Sequence, residues 1–295
     1  MNISNNKKVS ELTLEELFPK TLTDTVCVSI DKGREVWVAT LMCAQYLESA
    51  IDSVIVRGEN FKPVGIVGGY DLLDHLRKNP TREFQYKTGV EEIMLKDFAI
   101  IEEKTKLKDL MAIWKNSRRS FAIIINELGD CSTVSARKMI EVGIRCETDI
   151  SLSSMPKKKI VTFKENDSLG KILDLMFENK TRKLLLENSN QFISDRLILG
   201  EISRILHFEE DVDYFLDIPA NRFKLDHAKE ITEDLGFDKL CLTMVKMEHP
   251  YVVYKDTVVT PWDVCLTLLS DGLTMPPETG YPRIRTCPHC GKDID

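Results

Sequence analysis

The chain has 295 residues, of which 43% are hydrophobic and 29% are charged. A chain of this length and composition can bury more than one core, and two domains of ordinary size are the natural expectation. The 40 basic and 47 acidic side chains give a net charge of −7. This balance excludes a general electrostatic attraction to nucleic acid or to an anionic membrane, so an anionic ligand has to be held by a local basic cluster.

Targeting signals and cysteine usage predict the compartment. No apolar run approaches the roughly 20 residues of a membrane span. The first residues, MNISNNKKVSELTLEELF, lack the apolar core of a signal peptide. Most of the eight cysteines lie in apolar segments, which suits buried free thiols better than a disulfide framework. We therefore expect a cytoplasmic protein.

The first half of the chain contains two segments with the same order of elements: an extended run, an amphipathic helix, two strands and a short helix. In the first segment the sequences are VCVSI, EVWVATLMCAQYLES, SVIV and PVGIVGGYDLLDHL. In the second they are FAII, KLKDLMAIWKN, SFAIIIN and CSTVSARKMIEV. Apolar residues of the second repeat's first helix recur at the three- and four-residue steps that an amphipathic helix requires: Leu107, Leu110, Met111 and Trp114.

The second half repeats this order twice more. The third segment has KIVTF, DSLGKILDLMFEN, KLLLE and QFISDRLILGEISRIL, and the fourth has RFKL, DHAKEITEDLG, KLCLTMV and TVVTPWDVCLTLL. Equivalent positions recur about every sixty residues, as expected for a structural repeat. The strand runs are β-branched and nearly continuous, which predicts strands covered on both faces. The sequence therefore predicts a mixed α/β (α+β) fold of four β-α-β-β-α units.

This pattern resembles the cystathionine-β-synthase (CBS) domain family, and PVGIVGGYDLLDHL resembles the strand-to-helix corner that is the family's signature. The resemblance covers roughly residues 15–272. It implies two pairs of repeats, called Bateman modules, over residues 15–147 and 148–272, followed by a tail over residues 273–295. The four-repeat plan is similar to that of the γ-subunit of AMP-activated protein kinase, which implies a flat disk and a regulatory, non-catalytic role.

The family's ligand motif is a Ser or Thr, two residues, and then an Asp at the strand-to-helix corner, where the hydroxyl and the carboxylate meet a nucleotide. The fourth repeat has the complete motif, with Thr260 and Asp263. The first repeat has Asp71 but a glycine in place of the hydroxyl residue. The other two repeats have a hydroxyl but no acid: Ser135 with Lys138, and Ser194 with Leu197.

In the family, basic side chains between the first helix and the next strand often reach the phosphates. Here the second repeat carries Arg118 and Arg119 in this turn, and the third carries Lys180, Arg182 and Lys183. The first and fourth repeats carry Asp52 and Asp238 instead. The resemblance therefore implies one adenine-nucleotide site per pair. Asp71 would act with Arg118 or Arg119, and Thr260 and Asp263 would act with Arg182 or Lys180.

Simpler interpretations of the same residues remain open. Thr260, Pro261 and Asp263 have the order of a helix N-terminal cap. The basic turns follow helix ends, where cations are favourable beside the helix dipole. Two glycines before Asp71, Gly68 and Gly69, allow close approach of either protein or ligand.

The sequence shows no P-loop, dinucleotide-binding glycine motif or Ser–His–acid arrangement. The resemblance implies a non-catalytic sensor that binds AMP, ADP or ATP and modulates a partner protein. One alternative is a scaffold with unoccupied clefts. A second alternative is a transcription-associated or nucleic-acid-associated factor that acts through the tail. Homodimer formation is possible in either case, and no membrane partner is expected.

The tail is rich in proline and glycine and contains CPHCG, in which Cys287 and Cys290 resemble half of a zinc knuckle. A closed structural zinc site needs four ligands. The other half would come from a second copy of the chain or from a partner; otherwise the motif holds no metal. We expect the tail to be a flexible extension.

Overall fold

The computed structural model describes residues 7–18, 27–45, 52–125 and 131–276. Most of the predicted tail, including Cys287 and Cys290, lies outside these residues, so the zinc prediction is not addressed by the fold. The chain begins with strand β1 (Lys7–Lys8), a 3₁₀ turn (Val9–Glu11) and helix α1 (Leu14–Leu17).

The first two repeats have the predicted order of elements. The first contains β2 (Ser29–Asp31), α2 (Val36–Gln45), β3 (Ser53–Arg57), a 3₁₀ turn (Glu59–Phe61), β4 (Pro63–Gly68) and α3 (Gly69–Lys78). Two short helices follow, α4 (Arg82–Lys87) and α5 (Val90–Ile93). The second repeat contains β5 (Ile100–Ile101), α6 (Leu107–Ser117), β6 (Phe121–Ile125), β7 (Cys131–Ser135) and α7 (Ala136–Gly143).

The last two repeats exchange strands. The third contains β8 (Lys158–Lys159), β9 (Thr162–Phe163), α8 (Leu169–Glu178), β10 (Lys183–Leu186), β11 (Gln191–Ser194) and α9 (Asp195–Phe208). The fourth contains a 3₁₀ turn (Ala220–Arg222), β12 (Asp226–His227), β13 (Lys229–Glu230), α10 (Phe237–Val245), β14 (Val252–Tyr254), β15 (Thr257–Val259) and α11 (Pro261–Thr267), and β16 (Thr274–Met275) follows it.

Strands β8 and β12 each pair with the sheet of the neighbouring repeat. The two sheet orders are β12-β11-β10-β9 and β13-β14-β15-β8. Because β8 continues into β9 and β12 continues into β13, the chain passes from one sheet to the other on both sides. Strands β11 and β15 are thus each paired on the side that the exchange covers, which leaves neither of them as an edge strand open to unwanted pairing.

Sheets pack on each other within consecutive repeats. Ile55 and Ile66 of the first repeat and Phe121 and Ile123 of the second form one buried cluster. A second cluster joins the sheets of the third and fourth repeats through Leu185, Phe192, Tyr251, Val253 and Val258. The apolar faces of the strands therefore hold the first repeat to the second and the third to the fourth.

Helices pack in a different combination. One large core joins the helices of the first and third repeats, where α2 and α3 meet α8 and α9. The other joins the second and fourth repeats, where α7 meets α10 and α11. Each repeat therefore contacts one neighbour through its sheet and another through its helices.

In the fourth repeat, the predicted helix and the predicted strand after it are wrong, because each is displaced by one element. The segment KLCLTMV, predicted to be a strand, belongs to helix α10, and DHAKEITEDLG, predicted to be a helix, contains β12 and β13. The buried residues Phe237, Leu240, Cys241 and Met244 have the helical spacing that marks α10. Asp238 consequently lies in the first turn of α10 and not in the turn before a strand.

The predicted tail also begins later than expected. Strand β16 pairs antiparallel with β1, and Leu273 is fully buried in the core of the second and fourth repeats. The segment before residue 15 packs there as well, because the backbone of Leu12 accepts a hydrogen bond from Leu107. Among the described helices, none combines the length and the apolar character needed to cross a membrane.

The contact between α7 and α10 depends on a glycine. A Cβ atom added to Gly143 would lie 2.4 Å from Cys241 Sγ and 3.2 Å from Phe237 Cε1. We expect Gly143→Ala to lower the free energy of unfolding by about 1–3 kcal/mol, because overpacking must be relieved by movement of a helix. The measurement is urea-induced unfolding.

The matched control is Gly200→Ala in α9, where the nearest atom to the added Cβ is Ala44 Cβ at 4.0 Å. Alanine has the higher helix propensity, so this change should be neutral or stabilising by up to about 1 kcal/mol. Equal effects of the two substitutions would contradict the close packing at Gly143.

Candidate ligand-binding centre

Two of the four corners carry a carboxylate that caps its own helix. Asp71 Oδ2 accepts a hydrogen bond of 3.0 Å from the backbone of Gly68. Asp263 Oδ2 accepts bonds of 2.8 Å from the backbone and 2.7 Å from the hydroxyl of Thr260. The capping interpretation therefore holds at the fourth corner, and the structure adds a cap by Asp71 that the sequence did not suggest. Each cap is made through one oxygen, which leaves a ligand role open.

In the first pair, the structure brings together the acid and the base that the sequence suggested. Arg119 Nη1 donates to Asp71 Oδ2 at 2.7 Å, and Arg119 Nη2 donates to Asp71 Oδ1. The side chain of Asp71 is only 10% exposed. Arg118 instead ends helix α6 in the left-handed conformation and is exposed. The two basic residues of this turn are therefore not equivalent, and Arg119 is the one that faces the corner.

In the second pair, Arg182 forms its ion pairs with carboxylates other than Asp263. It donates through Nε and Nη2 to Asp195 Oδ2 at 2.8 and 2.5 Å, and through Nη1 to Asp52 Oδ1. Asp52 belongs to the first repeat, so this ion pair joins the two pairs of repeats. Lys180 is exposed in a left-handed conformation after α8. The expected convergence of Arg182 on Asp263 is therefore replaced by convergence on Asp52.

Asp52 lies among several guanidinium groups. Burial would raise the pKa of its carboxyl, but the positive charges of Arg182, Arg196 and Arg119 hold this pKa below its usual value. The side chain is 18% exposed. The turn that carries an acid in place of the basic residues of other repeats is thus a meeting point of cations from the second and third repeats.

The sequence did not identify three residues that lie at the contacts between repeats: Asp195, Arg196 and Arg137. Arg196 donates to the backbone carbonyls of Cys43 and Asp52 in the first repeat. Arg137 donates at 2.8 and 2.7 Å to the carbonyls of Glu248 and Met247 in the fourth repeat. The two arginines occupy the same position after their corners, and this recurrence is the signal that could have identified them.

The two glycines at the first corner accommodate protein. A Cβ atom on Gly69 would lie 2.8 Å from Asp195 Oδ2, and one on Gly68 would lie 2.9 Å from Ser53 Oγ. Side chains larger than hydrogen would push these groups away. Gly69 therefore allows the first and third corners to meet at the buried carboxylate of Asp195.

The carboxylate at the fourth corner has a different environment. Asp263 is 1% exposed, and burial raises its pKa despite the hydrogen bonds from Thr260. Lys158, on the adjacent strand β8, acts on it through space. In the part of the chain that the structure describes, no lysine or arginine forms an ion pair with it. Asp263 is a buried acid that lacks a direct counter-ion there.

Lys183 and His249 form a second polar group between the third and fourth repeats. Lys183 Nζ donates to the carbonyl of Pro250 at 2.9 Å and lies 5.2 Å from the ring centroids of Phe192 and Tyr251. Burial lowers the pKa of Lys183 to about 7. Burial and the charge of Lys183 lower the pKa of His249 to about 4.

The described cysteines support the prediction of free thiols for the six positions that the structure covers: Cys27, Cys43, Cys131, Cys146, Cys241 and Cys265. Within the described residues, no three His, Cys, Asp or Glu side chains are grouped as they would be around a metal ion. Zinc binding therefore stays a prediction that concerns Cys287 and Cys290 alone.

The environment of Lys183 predicts a pH dependence of stability. Between pH 7 and the ordinary lysine pKa near 10.4, the unfolded chain holds a proton that folded Lys183 has released. The free energy of unfolding should therefore rise from pH 7 to 8.5, by at most about 1.4 kcal/mol per pH unit for one proton. Urea-induced unfolding of the Lys183→Met variant should show a weaker dependence on pH in this window.

Lys180→Met, in the same turn but exposed, is the matched control and should keep the dependence of the natural chain. If Lys183→Met and the natural chain have the same slope of unfolding free energy against pH, the lowered pKa of Lys183 is contradicted.

Comparison with solved structures identifies the fold. Protein MJ1225 from Methanocaldococcus jannaschii, described as a proposed archaeal homolog of g-AMPK, superposes with a TM-score of 0.66 and 16% identity over 84% of this chain and 98% of that chain. The CBS-domain protein ATU1752 from Agrobacterium tumefaciens gives a TM-score of 0.38 and 15% identity over 48% of this chain and 96% of that chain.

Neither a scan against protein-family models nor a search of curated proteins gives a match. The assignment therefore rests on the four-repeat structure itself and on the similarity to the protein from Methanocaldococcus jannaschii, which covers nearly all of that protein. The chain has the CBS-domain fold, with four repeats.

Proposed function

We propose that this protein is a non-catalytic regulator that binds adenine nucleotides in the clefts between paired repeats and modulates a partner protein. The observation that supports this proposal most directly is the fourth corner, where Asp263 is buried without an ion-pair partner among the described residues. A buried carboxylate is costly unless its oxygens are paired or hydrogen-bonded, and both bonds from Thr260 go to Oδ2 alone. Ribose hydroxyl groups are donors that would meet this need.

At the fourth corner, the proposed contacts divide between the two oxygens of the carboxylate. Oδ2 accepts both bonds from Thr260, so Oδ1 is the oxygen that we assign to a ribose hydroxyl. Each hydrogen bond to a charged group contributes roughly 1.5–3 kcal/mol. Two or three such bonds per site are sufficient for micromolar binding.

The phosphate contacts of this site remain as proposed from the sequence, with Lys180 and Arg182 as the candidates. Lys180 is exposed and can turn towards a ligand. Arg182 would have to exchange Asp52 or Asp195 for a phosphate group, because its guanidinium already binds both carboxylates. Lys158, near Asp263, is an additional candidate that the sequence did not suggest.

The proposed site of the first pair is closed by its own residues. Both oxygens of Asp71 accept from Arg119, so a ribose has to displace a guanidinium group before it can bind the acid. Arg119 would then be free for a phosphate, and exposed Arg118 could join it. We therefore expect this site to bind nucleotide more weakly than the fourth corner.

Nucleotide binding would act on a partner by changing how the repeats pack. Regulation requires that the ligand prefer one arrangement of the repeats over another. The ion pair between Arg182 and Asp52 joins the two pairs of repeats, so a ligand that engages Arg182 would have that preference. The closed pair of Arg119 and Asp71 favours the alternative, a scaffold whose clefts stay empty.

Calorimetry with AMP, ADP and ATP tests the proposal. We expect binding in the micromolar range, and Asp263→Ala should weaken the tighter site at least about tenfold, because one charged hydrogen bond is lost. Asp71→Ala should affect only the weaker site.

Asp238→Ala is the matched control, since it removes an exposed acid of the same repeat that lies in the first turn of α10. It should leave nucleotide affinity unchanged. An absence of heat with all three nucleotides would reject the proposal and support the scaffold.

A further inference from the structure

We propose that Cys27 and Cys131 form an oxidative modification site, at which a peroxide converts the two thiols into a disulfide that joins the first repeat to the second. Both cysteines are free thiols in this structure. Cys27 lies just before β2 of the first repeat, and Cys131 begins β7 of the second. Disulfide formation does not rest on the proposed function, because no nucleotide takes part in it.

The two thiols meet where the sheets of the first pair pack on each other. Cys27 is 8% exposed and belongs to the buried cluster that contains Ile55 of the first repeat and Phe121 of the second. Cys131 packs against this cluster from a partly buried position. The thiol of Cys27 forms a hydrogen bond with the thiol of Cys131. The sulfurs are therefore already neighbours, and a bond of about 2.05 Å requires them to move closer by rotation of the two side chains.

The backbone on each side of this contact is held by its own sheet. The amide of Ile55 donates to the carbonyl of Val28, the residue after Cys27, at 3.0 Å. Cys131 pairs with Ile125 in the antiparallel ladder of β6 and β7. The contact between the thiols is thus built into the packing of the two sheets.

The two thiols differ in their access to an oxidant. Burial and the neighbouring thiol of Cys131 raise the pKa of Cys27 to about 12, so Cys27 stays protonated at neutral pH. Peroxide is attacked by a thiolate that it can reach, and Cys131 is the more exposed of the two cysteines. Cys131 therefore takes the first step of the reaction, and Cys27 takes the second.

The reaction consumes one hydrogen peroxide for each pair of thiols. The sulfur of Cys131 attacks one peroxide oxygen, the O–O bond breaks, and Cys131 becomes a sulfenic acid while its thiol proton leaves in the first water. The sulfur of Cys27 then attacks the sulfur of Cys131, the S–O bond breaks, and the hydroxyl leaves with the proton of Cys27 as the second water. The two sulfurs together lose two electrons, which reduce the two peroxide oxygens.

The disulfide would fix the packing of the first pair. The ion pair between Arg119 and Asp71 joins the same two repeats. A covalent bond across their interface opposes any separation of these repeats, including one that would open this ion pair. Oxidation would thus hold the first pair in the arrangement seen here.

Peptide mapping of the full chain after treatment with hydrogen peroxide tests this inference. Cys287→Ser and Cys290→Ser are introduced first, because the tail cysteines could form a disulfide of their own. Mass spectrometry of a non-reduced digest should then show the peptides of Cys27 and Cys131 joined with the loss of two hydrogen atoms. Treatment with dithiothreitol should restore both thiols.

The other described cysteines are buried and provide internal controls in the same digest: Cys43, Cys146, Cys241 and Cys265. They should stay reduced, because the oxidant does not reach them. Selective loss of the thiols of Cys27 and Cys131 is the expected result.

Two substitutions in this background separate a paired site from chance oxidation. In Cys27→Ala, Cys131 lacks the second thiol, so it should continue to the sulfinic acid and gain two oxygen atoms. In Cys131→Ser, Cys27 should stay reduced, because it is buried and has lost the sulfur that it attacks. Circular dichroism should show that each variant is folded, and the mapping of the chain that keeps both thiols decides the question if one is not.

Oxidation should also raise the urea midpoint of unfolding, because the disulfide constrains the unfolded chain. Cys131→Ser should show no such rise. The inference would be overturned if Cys27 stays reduced while Cys131 is oxidised, or if Cys27 is oxidised no faster than the buried controls. A lower midpoint after oxidation would also overturn it, since the disulfide would then not fit the native packing of the sheets.

Discussion

Burial of opposite charges between repeats is the constraint on which the centre of this protein depends. A buried carboxylate or guanidinium is costly by itself and is tolerated when it has a partner of opposite charge with good hydrogen-bond geometry. Here the partners come from different repeats: Arg119 of the second binds Asp71 of the first, and Arg182 of the third binds Asp52 of the first. Arg182 also pairs with Asp195 of its own repeat, but the contacts of Asp71 and Asp52 with arginines of other repeats add electrostatics to the apolar packing between the repeats.

The two packing modes explain why these charges meet. Sheets join the first repeat to the second and the third to the fourth, while helices join the first to the third and the second to the fourth. The turns that follow the first helices are thereby placed against the corners of other repeats. Arg196 and Arg137 mark this arrangement, since each binds backbone carbonyls across the helix-packed interface. A ligand that bound between the repeats would act on these contacts, and the proposed sensor role requires that it prefer one arrangement of them.

The sequence predicted what local patterns and internal repetition encode. Strand and helix periods gave the four units, and the capping chemistry of Asp263 followed from residue order. The pairing of Asp71 with Arg119 was also accessible, because it needs only the contact between neighbouring repeats. The position of Arg182 was not, because Asp52 and Arg182 are 130 residues apart and meet through helix packing that no local pattern specifies. In the fourth repeat, the apolar run KLCLTMV fits a strand by composition and a helix by spacing, and the spacing proved decisive.

The most direct test of the central claim is a double-mutant cycle between Asp52 and Arg182, measured by urea-induced unfolding. If charge pairing across repeats holds the centre together, the two alanine substitutions should be coupled by about 1.5 kcal/mol or more, as expected for a partly buried, charged hydrogen bond. Effects that add to within about 0.5 kcal/mol would show that the two residues act independently. That result would contradict the account of a centre built from shared charges.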